Sequence, residues 1–186
     1  MVKLIAPLSR FSSCSILVAG DFMLDSYTIG KARRISPEAP VPVVHVTGQR
    51  KLPGGAGNVV LNLLALRAEV KALGRIGLDD AGKDIASLLR EKGVDPNYLF
   101  TETGFLTPVK NRIIADGQQI TRVDHELITP LSETIEGLIL SRMDALFKGV
   151  RMLALSDYGK GFLTDSLIRS LIKEAKARGI MSIEIG

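Results

Sequence analysis

The sequence predicts an α/β fold built on a mostly parallel sheet, and three observations carry that prediction. Short apolar runs alternate with amphipathic helical segments through residues 15–92, and again through 132–185. The opening run, Ser15-Ile-Leu-Val-Ala-Gly20, is continuously apolar rather than alternating, as expected of a strand covered on both faces. Between the two stretches the period changes to two around Asp116-Gly117, so an antiparallel ribbon is inserted in the parallel fold or laid over it.

Residues 15–20 are the first strand. Tyr27–Gly30 and Val41–Thr47 are β-rich pieces flanking Ser36-Pro-Glu-Ala-Pro-Val-Pro42, whose three prolines hold the backbone extended. Pro53-Gly-Gly-Ala-Gly-Asn58 opens a helix to about Ala68, with Val59, Val60, Leu63, Leu64 and Leu66 on one broad face. A strand follows at Val70–Ile76 and a helix at Ala81–Lys92, stopped by Gly93. The antiparallel segment spans Tyr98–Glu126. Val109–Ala115 and Gln118–Asp124 flank the Asp116-Gly117 turn, and Ile120, Arg122 and Asp124 alternate with Thr121 and Val123. Helix returns at Ser132–Phe147, strand at Arg151–Ser156, helix at Thr164–Arg178 and a last strand at Ile180–Ile185.

The 186 residues are 46% hydrophobic and 24% charged, enough apolar surface to offset ordering entropy, which excludes disorder as the main state. Aromatic residues are 5% and tryptophan is absent, a poor supply for a base-stacking nucleic-acid platform. The net charge of +4 is local. Residues 31–51 hold five basic residues and one acid, while the rest of the chain is balanced at 19 of each sign. Such a patch suits a small phosphorylated ligand as well as a polymer, and no nucleic-acid-reading motif accompanies it. The single cysteine, Cys14, makes a reducing, cytoplasmic compartment the expectation. The run to Gly20 is too short to span a membrane, and Pro7 and Arg10 interrupt any signal-peptide core.

Four groups of residues carry candidate chemistry. Gly54-Gly-Ala-Gly-Asn58 allows close backbone approach of a ligand at a helix start, and the Asn58 amide suits sugar hydroxyls; a tight turn with a cap explains the same glycines. Asp21 and Asp25 follow the first strand, at the carboxyl edge where ligands of α/β sheets bind; both also fit turn carboxylates. Ser156-Asp-Tyr-Gly-Lys-Gly161 places Asp157 at another strand's carboxyl end and Lys160 between two glycines, ready to approach an anion or simply forming a polar loop. Gly77-Leu-Asp-Asp-Ala-Gly82-Lys83 falls short of a phosphate loop. Asp84 stands where Ser or Thr should hold magnesium, so it reads as an acidic helix start. His45 and His125 are isolated, and no metal-ligand cluster or nucleophilic triad is present.

Taken in order, Val18-Ala-Gly-Asp-Phe-Met-Leu-Asp25, Arg34-Ile-Ser-Pro-Glu-Ala-Pro-Val-Pro42, Gly54-Gly-Ala-Gly-Asn58, Gln118-Gln-Ile-Thr-Arg-Val-Asp124 and Leu155-Ser-Asp-Tyr-Gly-Lys-Gly161 resemble the ribokinase-like (pfkB) carbohydrate kinases. Within them the chain is most similar to the heptose 7-phosphate kinases, the kinase domains of bifunctional ADP-heptose synthesis proteins. The proline-rich stretch and the Ser-Asp-Tyr-x-Lys-Gly loop are the specific signals, and the resemblance runs from about Leu8 to Ile180. It implies a ribokinase-like three-layer α/β/α fold with a small antiparallel β lid, formed by segments about 26–50 and 98–126. It implies ATP, with Mg2+, phosphorylating the C1 hydroxyl of a heptose 7-phosphate on the way to ADP-heptose and lipopolysaccharide core. Asp25, Gly54, Gly55 and Asn58 match residues holding the sugar, supported by Asp21. Lys110 and Arg112, with Arg33 and Arg34, stand to meet the existing phosphate. Asp157 matches the sugar edge and Lys160 the phosphate path. A homodimer through the lid is implied as well.

The resemblance also implies that the nucleotide-binding strands, the Gly-Ala-Gly-Asp anion hole and the catalytic Asp belong beyond residue 186. On that expectation residues 1–186 are the N-terminal part of the kinase domain and hold no catalytic residue. The fold is then incomplete, inactive alone and prone to aggregate. Another sugar or nucleoside kinase, or a non-catalytic module binding sugar phosphate, are the alternatives.

Overall fold

A computed structural model describes residues 14–185, so the reading of the extreme N-terminus lies outside the described residues. The main sheet has five strands: β1 (Ser15–Gly20), β4 (Glu69–Gly77), β5 (Leu99–Glu102), β8 (Met152–Ser156) and β9 (Met181–Ile185). Their order is β5-β4-β1-β8-β9, and every neighbouring pair is parallel. The apolar β1 is central because both of its faces must be covered. Ile16 and Val18 point into one cluster with Val60, Ile85 and Leu89, contributed by α1 (Ala56–Ala65) and α2 (Asp80–Glu91). Leu17 and Ala19 point into the other, with residues of α3 (Glu133–Ser141), α4 (Met143–Phe147) and α5 (Asp165–Ala177). The result is the parallel α/β sheet that the alternation predicts, in the three-layer α/β/α arrangement that the resemblance implies.

Among the described residues, three of the five helices begin where a side chain satisfies one of the first amides. Asp79 accepts from the Gly82 N–H at α2, Ser132 from Ile135 at α3, and Thr164 from Leu167 at α5. Three expected boundaries shift. The first helix starts at Ala56 and ends at Ala65, and Arg67 takes φ 65°, a left-handed value that helix cannot continue. The helix expected over 132–147 breaks at Arg142 (φ −108°, ψ 11°) into α3 and α4. Finally, β5 belongs to the main sheet, because Leu99 and Phe100 are buried in its core; the lid's second segment therefore begins at Val109, not at residue 98.

The lid is a four-stranded sheet of β2 (Phe22–Ile35), β3 (Pro42–Gly55), β6 (Val109–Ala115) and β7 (Gln118–His125), ordered β3-β2-β6-β7. Hairpins β2–β3 and β6–β7 are antiparallel, as expected. The seam between them is parallel, which makes the lid a mixed sheet. The cause is shared origin: β2 and β6 leave the same edge of the core side by side, and the Leu24 N–H donates to the Pro108 carbonyl (2.8 Å) as they do. The β6–β7 turn has Asp116 at φ 50° and Gly117 at φ 81°, the two positive values that a type I′ turn demands. Strand β2 is continuous from core to lid. Phe22, Met23 and Leu24 are buried, Asp25 lies at the junction, and exposure rises outward until Arg33, Arg34 and Ile35 are exposed.

Candidate functional site

The carboxyl ends of β1, β4 and β8 meet the root of the lid, and the candidate residues gather there. Asp21, in the turn between β1 and β2, is buried. Its carboxylate accepts hydrogen bonds from the backbone N–H groups of Tyr158 (2.9 Å), Lys160 (3.0 Å) and Phe162 (3.2 Å). Burial pushes its pKa above the ordinary Asp value, against the pull of those three donors, and the Asp157 charge adds to the rise. Asp21 therefore holds the loop after β8 instead of facing a ligand, which narrows the sequence reading of this residue to its supporting half.

Asp25 is partly exposed on the inner end of β2 and pairs with Arg112 of β6 at 2.5 Å. That contact raises the guanidinium's pKa, burial notwithstanding. Gly54, opposite Met23 on β3, is required by this carboxylate: a Cβ at Gly54 would collide with Asp25 Oδ2. Gly55 follows at φ 57° and turns the chain into α1 with no side-chain cap. Ala56 gives its N–H to the Asp21 carbonyl (2.9 Å), and Asn58 is exposed one turn into the helix. A helix start without a side-chain cap, an exposed amide side chain and an ion-paired carboxylate thus lie on adjoining stretches of β2, β3 and α1, a set suited to hydroxyls and anions.

Lys110 lies beside Asp25 in the β2–β6 register, its ammonium 6.0 Å from the Tyr158 ring centroid. Asp157 folds its carboxylate back onto the Gly159 N–H (2.8 Å). Lys160 forms an ion pair with Glu126 (2.8 Å), and both side chains are mostly buried. Glu126 directly follows β7, so this pair fastens the loop after β8 to the lid. The structure therefore brings together Asp21, Asp25, Gly54, Gly55, Asn58, Lys110, Arg112, Asp157 and Lys160.

Arg33 and Arg34 are not in this group. They lie eight and nine residues beyond Asp25 on an extended strand, roughly 25–30 Å out at about 3.3 Å per residue. There Lys31, Arg33, His45 and Thr47 line an open groove of about 450 Å3. Their placement beside the same chain's Lys110 and Arg112 is corrected: β2 is one long strand, and sequence nearness did not reveal its reach. Glu126, Tyr158 and Tyr27 under the Arg112 guanidinium adjoin this group, and the buried Arg75 lies behind it; motif reading missed all four.

The near-phosphate loop at 77–83 is closed by its own carboxylates. Asp79 takes the Gly82 and Thr107 N–H groups (2.7 and 2.8 Å), and Asp80 pairs with Lys83. Among the described residues no three His, Cys, Asp or Glu side chains converge as a metal site, and no helix is long and apolar enough to cross a membrane.

A three-layer sheet with a lid rooted at its carboxyl edge defines a ribokinase-like fold. The solved structures agree. A carbohydrate kinase from Agrobacterium tumefaciens superposes with a TM-score of 0.65 at 22% identity, covering 93% of this chain and 53% of that one. Arabidopsis thaliana ribokinase, solved with ribose and ATP, gives 0.61 at 19% identity, with 93% and 54% covered. The chain belongs to the pfkB family of carbohydrate kinases, whose family model matches residues 15–147. It is 42% identical over 177 residues to the bifunctional protein HldE of Acidiphilium cryptum, and 45% identical over 166 residues to that of Helicobacter hepaticus. These alignments cover 95% and 89% of this chain, which spans about a third of the length of those relatives (36% and 34%).

Proposed function

We propose that this chain carries the sugar side of an ATP-dependent heptose 7-phosphate kinase. The Asp25–Arg112 pair at the lid root, backed by Gly54, is the observation that carries the reading. Asp25 can accept from sugar hydroxyls while Arg112 fixes its orientation. Asn58 and the first amides of α1 supply donors, and Lys110 adds positive charge for a substrate that already bears phosphate. The HldE relatives favour heptose 7-phosphate over other sugars or nucleosides. Product in this reading is the heptose 1,7-bisphosphate.

ATP would supply the phosphoryl group. Among the described residues the nucleotide finds no open phosphate cradle at Gly77–Lys83, where Asp79 takes the Gly82 N–H. What residues 14–185 can do is bind and orient the acceptor, the positioning share of phosphoryl transfer. We also propose a homodimer through the lid, whose Ile29, Val46, Ile120 and Val123 are exposed, and a cytoplasmic setting in keeping with the free Cys14 thiol.

Calorimetry with heptose 7-phosphate, and with the unphosphorylated heptose, tests the reading. Binding of the phosphorylated sugar at least tenfold tighter, weakening as salt rises, is expected. Equal affinity for both would refute the phosphate assignment, and no binding of either would refute the sugar site. The closed 77–83 turn favours a second reading, a sugar-phosphate-binding module without turnover. Phosphoryl transfer from ATP by residues 1–186 would exclude it.

A further inference from the structure

Arg75 has no place in the binding set above, yet its side chain is only 1% exposed in the interior strand β4. A guanidinium cannot shed its charge and must be paired where it is buried. One terminal nitrogen donates to Glu102 Oε2 (2.7 Å) and the Pro130 carbonyl (3.2 Å). The other donates to the Lys160 carbonyl (2.9 Å) and the Thr129 carbonyl. The guanidinium also lies 3.9 Å from the Phe105 ring centroid. Glu102 in turn accepts from the Ser132 N–H (3.1 Å). One side chain therefore joins the end of β5, the loop behind it, the chain returning from the lid and the loop after β8.

The two segments that Arg75 ties together carry the ion pair at the lid root. Glu126 lies three residues before Thr129, and Lys160 gives Arg75 its own carbonyl. Asp21 holds the opposite side of the same loop through the N–H groups of 158, 160 and 162. Two buried charges of opposite sign, Asp21 just past β1 and Arg75 on the neighbouring β4, thus fix the backbone of Lys160: the anion takes its donor and the cation takes its acceptor.

We infer that Arg75 is a positioning residue for anion recognition: it sets the Lys160 backbone, and hence the Lys160–Glu126 pair, without touching ligand. The ligand part of this inference rests on the function proposed above; the backbone part does not. The test uses Arg75→Met, Arg75→Lys and Glu102→Gln in the full chain. Hydrogen exchange of the Lys160 and Phe162 amides is expected to rise at least tenfold in R75M, with residues 85–89 on the other face of the sheet unchanged. Affinity for heptose 7-phosphate is expected to fall at least tenfold, and affinity for the unphosphorylated heptose less than twofold. R75K and E102Q should move both readouts the same way by less, and they replace R75M if it does not fold. Unchanged exchange at Lys160 and Phe162 overturns the clamp. Equal loss of both sugars overturns the positioning role and leaves plain destabilisation. If the wild type binds neither sugar, the proposed function fails, and the exchange measurement still decides the clamp.

Discussion

At the scale of single residues, the site depends on carboxylates whose surroundings are built for opposite ends. Asp25 needs room, and Gly54 gives it. Gly54→Ala is expected to push that carboxylate off Arg112, lowering sugar affinity at least tenfold and costing about 1–3 kcal/mol in overpacking; paired calorimetric and thermal measurements check both. Asp21 and Glu102 should leave contrary marks on acid stability. Glu102 is held below its ordinary pKa of 4.5: burial works to raise it, but Ser132 and the Arg75 guanidinium outweigh that. Its stabilisation is complete above pH 4.5 and is lost as pH falls through the lower folded value. Asp21 is raised above 3.8 by burial, so its contribution is greatest below 3.8 and declines as pH rises through the folded value. Melting temperatures followed below pH 5 should fall less steeply with acid in Glu102→Gln than in the wild type, and more steeply in Asp21→Asn. Identical slopes in all three would contradict the assignment.

At the scale of elements, the β6–β7 turn is the most local piece of structure in the lid. Gly117→Ala forces a side chain into φ 81° and should cost about 1 kcal/mol. Faster amide exchange in 109–125, with the main sheet unaffected, is the expected signature. This turn was legible because Asp-Gly states its own geometry, and β1 was legible because its apolar run is too short for a buried helix and is closed by Gly20. The parallel β2–β6 seam was not legible. Pattern records a strand's faces, not its neighbour, and residues 25 and 110 are joined only by the tertiary fold. The assignment of β5 failed for a related reason: four residues, Leu-Phe-Thr-Glu, are too short to announce which sheet they enter. Among site residues, Asp25, Gly54 and Asn58 could be read from local type and order. Glu126 and Arg75 could not, because their roles exist only through partners 34 and 85 residues away.

At the scale of the whole molecule, the two edges of the main sheet differ. Among the described residues strand β9 pairs only with β8, and its Met181 and Ile183 are exposed. Beside it Leu155, Leu163, Ile168 and Ile172, with Asp157 and Glu184, line an open cavity of about 240 Å3. An exposed edge next to apolar side chains is a template for further pairing. The 186-residue chain on its own should therefore self-associate with rising concentration, as light scattering would show. A monodisperse species across a hundredfold range would count against this. Of the basic residues in 31–51, so plain in the sequence, Lys31, Arg33 and Arg34 are carried outward by one strand, while Arg50 and Lys51 pair with Tyr27 and Ser26 beside Asp25.

That strand, β2, is also a lever. Its first three residues are clamped in the core, the next bears the carboxylate proposed to meet sugar, and ten more project beyond it. A tilt of roughly 10° pivoting at Asp25 would sweep Ile35 through about 6 Å, given about 3.3 Å of rise per residue. Small adjustments at the pivot are thereby magnified at the tip, where a reporter is easily read. The sequence contains no tryptophan, so a single indole placed at Ile35 would signal the swing against a dark background.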